Sequence, residues 1–80
     1  MEKFKVEVKS SVEKDLSRID SQFITKIIHT IKKLTIHPLS IDSKKLKGSK
    51  TSYRVKSGDY RILYRIDKSS RTITIFHVKH

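Results

Sequence analysis

Eighty residues carrying 19 lysines and arginines against eight acids give a formal charge of +11 with neutral histidines. A chain this short buries only roughly 60% of its unfolded surface and supports one core, so a single domain spanning residues 1–80 is expected. The charge points to a polyanionic partner, while the absence of cysteine excludes disulfides and thiolate metal sites, and no apolar run approaches the roughly 18 residues of a spanning helix. The opening MEKFKVEVKS alternates instead of forming an apolar signal core, so a soluble cytoplasmic protein with no membrane partner is expected.

Phe4, Val6 and Val8 alternate with Lys3, Lys5, Glu7 and Lys9, which predicts a strand over 3–9 with one wet face. Ser10 stands three residues before Glu13, the spacing of a capping box, and Val12, Leu16 and Ile19 follow at helical spacing, predicting a helix over 11–19. Asp20 or Ser21 caps a second helix, in which Phe23, Ile24, Ile27, Ile28, Ile31 and Leu34 recur at steps of three and four. His37-Pro38 ends it, because the residue before proline is pushed out of the helical region.

The polar, basic stretch from Leu39 to Lys50 reads as a loop with Leu46 as its inward anchor and Gly48 at a turn. Tyr53 and Val55 alternate with Arg54 and Lys56, the pattern breaks at Gly58-Asp59, and Tyr60, Ile62, Tyr64 and Ile66 alternate with Arg61, Leu63 and Arg65. An antiparallel hairpin is expected there. Thr72 to Val78 is rich in β-branched residues and apolar at consecutive positions, so it reads as a last strand, apolar on both faces and central. The resulting order, β-α-α-β-β-β, predicts an α+β domain with a helical hairpin on one face of a small twisted, mainly antiparallel sheet.

If the helices cover the Tyr60/Ile62/Tyr64 face, then Arg54, Lys56, Arg61 and Arg65 project together from the open one, where mutual repulsion favours binding an anion. Arginine forks two hydrogen bonds to a phosphate and lysine adds a point charge. Lys44, Lys45, Lys47 and Lys50 form a second basic cluster suited to guiding nucleic acid. Alternation puts Tyr53, Tyr60 and Tyr64 on the core side. His77 and His80, three apart, fall on opposite faces if the strand runs straight through both, so only one of them faces the cations. No HExxH pattern, paired-carboxylate spacing, glycine-rich phosphate loop or serine triad is present, which leaves metal or cofactor dependence without support.

The whole progression resembles the RelE/ParE superfamily of bacterial type II toxins: a strand, a helical hairpin closing at a proline, Lys45-Leu46-Lys47-Gly48, a Tyr-Arg-Val-Lys strand, Gly58-Asp59-Tyr60-Arg61 and a final apolar strand. The resemblance implies a RelE-like microbial-ribonuclease fold and the toxin of a toxin-antitoxin pair. In the RelE branch it implies metal-free, ribosome-dependent cleavage of mRNA, with attack by the 2′-hydroxyl on the adjacent phosphate. The partners so implied are ribosome, mRNA and an acidic cognate antitoxin, with a toxin-antitoxin hetero-oligomer. By position, Arg54 and Lys56 match the family's basic strand pair and Arg61 the arginine that holds the scissile phosphate. Many members continue with an arginine and then a tyrosine or histidine, whereas this chain stops at His80; either His80 takes the acid or base role or the site is incomplete. Two other readings stay open on the same fold: a ParE-like inhibitor of DNA gyrase, and a module that only binds its antitoxin.

Overall fold

The computed structural model describes residues 3–80. Its elements are β1 (Lys5–Val8), α1 (Ser10–Ser17), α2 (Ser21–Leu34), β2 (Lys44–Lys45), β3 (Ser52–Ser57), β4 (Tyr60–Asp67) and β5 (Thr72–Lys79). The sheet runs β1-β5-β4-β3-β2, with β1 parallel to β5 and every other pair antiparallel. Both helices contribute to one core: Val12 from α1, Ile27 and Leu34 from α2, against Val55, Ile62, Tyr64, Ile66, Ile73, Ile75 and Val78. This is the expected α+β architecture, with β2 added.

The differences from expectation are local. β1 is four residues long because Phe4, ahead of it, donates its N–H to Thr35 O at 2.8 Å and so joins the end of α2. No capping box forms, since α1 starts one residue early: Lys9 is its N-cap with no side-chain bond, and Ser10 is already helical. Asp20 does cap α2, its carboxylate accepting the Gln22 N–H at 3.3 Å. Helical bonding persists to His37, whose N–H donates to Lys33 O at 2.9 Å, and Pro38 stops it. Within α2 the buried stripe narrows to Ile27 and Leu34, flanked by half-buried Ile31, while Phe23 and Ile28 stay exposed.

The segment over 39–50 is not all loop. Lys44 and Lys45 pair with Arg54 and Tyr53 as the short edge strand β2. Tyr64 makes this connection rigid. Its side chain is fully buried, and its O–H donates to Pro38 O at 2.7 Å while Ser43 Oγ, at 2.6 Å, donates to the phenol oxygen; Ser40 Oγ completes the chain 2.9 Å from Ser43 Oγ. Burial raises the Tyr64 pKa further above that of a free phenol, so the hydroxyl keeps its proton as donor. At the other end of the hairpin Gly58 adopts φ +61° as the first residue of a two-residue connection, the conformation a type II′ turn requires there.

β5 is interior, as expected, but its faces differ. A bulge between Leu63 and Tyr64 of β4 shifts the pairing, so that Tyr64 faces Ile75 while Leu63 faces His77 and Phe76 is the extra residue. Ile73, Ile75 and Val78 therefore all point to the core. Past the end of β1, α1 completes the edge of β5: Lys9 N–H bonds Ile75 O at 3.0 Å, Ser11 Oγ bonds Phe76 O at 3.0 Å, and Asp15 Oδ2 accepts the Val78 N–H at 3.1 Å. Ser11 and Asp15, one helical turn apart, thus satisfy backbone groups that a neighbouring strand would otherwise have paired.

Two outcomes follow. Tyr64→Phe, which takes the phenol away from the half-buried Pro38 carbonyl and Ser43 hydroxyl, should lower stability in denaturant titrations by about 1 kcal/mol; an unchanged midpoint would contradict the clamp. Asp15 is held below its ordinary value of 3.8, chiefly by the Val78 N–H and then by His77, against the opposing effect of burial. A carboxyl lowered in this way stabilises the fold above its unfolded value and loses that contribution as pH falls through its folded value. The stability gap between the wild type and Asp15→Asn should therefore be full at about pH 5 and shrink steadily below 3.8, whereas a gap that persists in strong acid would show that charge plays no part.

Candidate functional site

Side chains on the sheet face turned away from the helices stand in rows across the strands. In the first row Lys56 of β3, Arg61 of β4 and Lys79 of β5 are direct partners. The second row is Lys44, Arg54, Leu63 and His77, and the third is Ser52, Arg65, Thr74 and Glu7. Like charges thus face one another at Lys44/Arg54, Lys56/Arg61 and Arg61/Lys79, and each such pairing costs on the order of a few tenths of a kcal/mol to 1 kcal/mol. Among the described residues none of these five cations is in an ion pair. Stability alone would not select such rows; an anion brought into them would relieve the repulsion.

Lys44, Arg54, Lys56 and Arg61 line one recess of about 490 Å3, closed on its edge by Ile41 and Asp42. The Tyr64 clamp builds that edge. By holding Pro38, Ser40 and Ser43 it delivers Ile41 and Asp42 to the rim and Lys44 to the register opposite Arg54. Among the described residues Asp42 is the one acid at the recess, and it leaves a cationic excess there of four to one.

The other residues expected at the site divide. Arg65 is four positions along β4 from Arg61 and, with Lys50, lines a separate recess of about 470 Å3 that also includes Tyr53 and Lys68. Lys45 faces Tyr53 and so points to the opposite side of β2 from Lys44. Lys47 is exposed on the following turn and lines neither recess. His80 is not brought to the cations. Because Lys79 shares the open face with Arg61, the next side chain turns to the helix side, where the His80 ring sits 5.1 Å from Tyr60, itself 5.8 Å from Phe23.

One group on the cationic face, Lys79, escaped sequence reasoning, and of the two C-terminal histidines it is His77, not His80, that stands there. Lys79 extends the first row to a third strand. His77 lies in the second row, directly opposite Leu63 and hence diagonal to Arg61, with Nδ1 at 3.2 Å from Asp15 Oδ2. The signal for both was present: Ile73 and Ile75 are odd and Val78 even, a change of phase that marks the bulge and puts His77 and Lys79 on the open side. With Asp15 ionised, the His77 Nδ1–H is the proton that fits the contact, which leaves Nε2 as the free nitrogen of the ring.

Comparison with known proteins gives the family and the fold. Residues 6–80 match the family model described as the ParE toxin of the type II toxin-antitoxin system parDE. A protein of Methanocaldococcus jannaschii with the provisional name toxin RelE1 is 36% identical over 76 residues, which is 91% of this chain and 84% of the relative. The toxin-antitoxin complex RelBE2 of Mycobacterium tuberculosis superposes with a TM-score of 0.85 at 25% identity, covering 98% of both chains. The archaeal RelE-RelB complex of Pyrococcus horikoshii gives the same TM-score at 24% identity, covering 96% of this chain and 93% of its counterpart, a likeness of fold.

The rows make a prediction that needs no knowledge of the biological ligand. Lys56→Gln should leave thermal stability in low salt unchanged or slightly higher, and should reduce the rise in melting temperature that inorganic phosphate produces. Equal stabilisation of both proteins by phosphate would place anion binding elsewhere.

Proposed function

The chain belongs to the RelE/ParE superfamily of type II toxin-antitoxin toxins, and we propose that it acts as a ribosome-dependent endonuclease that cuts mRNA without a metal ion. The observation that carries this reading is the set of unpaired, mutually opposed cations at Lys44, Arg54, Lys56, Arg61 and Lys79. Cleavage by a neighbouring 2′-hydroxyl needs no other nucleophile; it needs charge placed where the phosphate becomes more negative. In the reaction the 2′-oxygen bonds to phosphorus and gives up its proton, the bond to the 5′-oxygen breaks, and that oxygen takes up a proton. The products are a 2′,3′-cyclic phosphate and a 5′-hydroxyl.

Lys56 and Arg61, direct partners across β3 and β4, bracket the scissile phosphate, and Arg54 and Lys44 hold the adjoining one. Both arginines stabilise charge and do not move protons, since guanidinium scarcely deprotonates. The group that fits proton transfer is His77. Its register diagonal to Arg61 corresponds to about 7–8 Å between the strands' side-chain origins, a gap that a bound ribose bridges. Asp15 fixes the ring, as a carboxylate fixes a catalytic imidazole in other hydrolytic sites. His80, expected in this role, has the geometry of a packing partner of Tyr60.

The proposed partners are the ribosome, mRNA and an acidic cognate antitoxin acting in the cytoplasm. The antitoxin is favoured by the +11 charge and by the exposed face, since a ligand that binds only the folded state also stabilises it. Inhibition of DNA gyrase is the second reading, because the family model is described by its ParE toxin. It makes no use of His77.

Purified protein added to translating ribosomes should produce new mRNA 5′ ends by primer extension. Arg61→Ala should slow cleavage by about 10²–10³, and His77→Ala by about 10²–10⁴ with mRNA binding retained. Intact mRNA together with blocked supercoiling would select the gyrase reading instead.

A further inference from the structure

The end of the β3–β4 hairpin that carries Lys56 and Arg61 has a second side. Ser57 and Tyr60 are the last pair before the Gly58-Asp59 turn, and their side chains point to the helix side, since those of Lys56 and Arg61, one residue back, point to the open one. There Phe23 and Lys26 of α2, with Ser57, Asp59, Tyr60 and His80, line a cavity of about 220 Å3. Tyr60 stands between the other two rings, its centroid 5.8 Å from Phe23 and 5.1 Å from His80. Phe23 is 39% exposed and lies outside the core cluster. The volume is about seven times the roughly 30 Å3 of a liquid water, space for one flat ring system.

The chemistry of this lining fits a nucleobase better than a phosphate or an aliphatic side chain. Lys26 and Asp59 bring one charge of each sign, so the cavity lacks the cationic excess of the recess on the open face. Aromatic faces offer stacking, and the ammonium, carboxylate and Ser57 hydroxyl offer donors and acceptors, which is the combination that an unstacked base presents in return. The way in is clear. Nothing stands within 4 Å of where a Cβ on Gly58 would be, so a strand that leaves the cations can pass over the turn.

We infer that this aromatic cavity receives the base of the nucleotide on the 3′ side of the cleaved bond, while the scissile phosphate stays between Lys56 and Arg61. The polarity follows from the site. The ribose whose 2′-hydroxyl attacks lies toward His77 in the second row, so the nucleotide that departs with the 5′-oxygen lies in the opposite direction along the strands, toward the turn. The inference rests on the reading of the chain as an RNA-cutting toxin, which supplies the ligand and its direction. It adds to that reading a base-holding element off the cationic face, in which Phe23, Tyr60 and His80 position the leaving nucleotide and move no protons.

The test uses 2-aminopurine, whose fluorescence is quenched by stacking, in 5′-phosphorylated dinucleotides without 2′-hydroxyls, so that they bind and are not cut. Wild-type protein should quench the probe in the second nucleotide and leave it bright in the first. Phe23→Ala, an exposed change whose fold is checked by circular dichroism, should abolish that quenching and weaken binding by about tenfold, whereas Phe23→Tyr, which keeps the ring, should preserve both. Binding with equal quenching at the two positions, or quenching that survives Phe23→Ala, would overturn the cavity's assignment and leave the RNA reading standing. Failure of the wild type to bind either dinucleotide would overturn both. Displacement of the second-position base by N-acetyltryptophanamide as readily as by deoxyadenosine would give the cavity to an aromatic side chain of a protein partner instead.

Discussion

The hydroxyl of Tyr64 is the contact through which core and site are joined. Its ring fills the centre of the core from β4, and its oxygen holds the connection between α2 and β2 at Pro38 and Ser43. Without that tie the stretch 39–43 has little to anchor it, because its apolar residues Leu39 and Ile41 are exposed, and the two residues of β2 are too few to fix their own register. With it, Lys44 stands opposite Arg54, and Ile41 and Asp42 form the rim of the cationic recess. A buried phenol with both neighbours satisfied is rigid, so the recess is preorganised before any ligand arrives.

A second constraint acts from the other side of the sheet. The bulge opposite Phe76 changes the phase of β5 and decides which C-terminal side chains meet the cations. Lys79 and His77 are delivered to the open face, and His80 is turned against Tyr60. The same shift presents the edge of β5 to α1, where Asp15 ties the Val78 N–H and the His77 ring together. Packing, edge protection and the orientation of the one histidine on the cationic face are therefore consequences of a single extra residue.

Much of this was legible in the chain. Alternation in β3 and β4 places Tyr64 inside and Arg54, Lys56 and Arg61 outside, and the helical spacing of Ile27, Ile31 and Leu34 marks the core side of α2. These are local signals, set by periods of 2 and 3.6 residues. What escaped depends on contacts between distant segments. β2 is a strand because β3 and the Tyr64 clamp make it one, and nothing in the composition of Lys44-Lys45 favours an extended conformation. The face of His77, Lys79 and His80 depends on a bulge, whose trace in the sequence is a change of parity between Ile75 and Val78 that alternation alone reads as a strand apolar on both sides. Arg65 groups with Arg61 by face alone, although four residues at the rise of a strand already set them about 13 Å apart.

The central claim is that rows of opposed, unpaired cations form a phosphate site on the open face of the sheet. Its most direct measurement is a structure of the protein with an RNA oligonucleotide whose 2′-hydroxyl is removed at the cleavage point. A phosphate is expected between Lys56 and Arg61, with the adjacent ribose on the side of His77. RNA seated on the helix side, against Tyr60 and His80, with the cationic rows facing solvent, would contradict it.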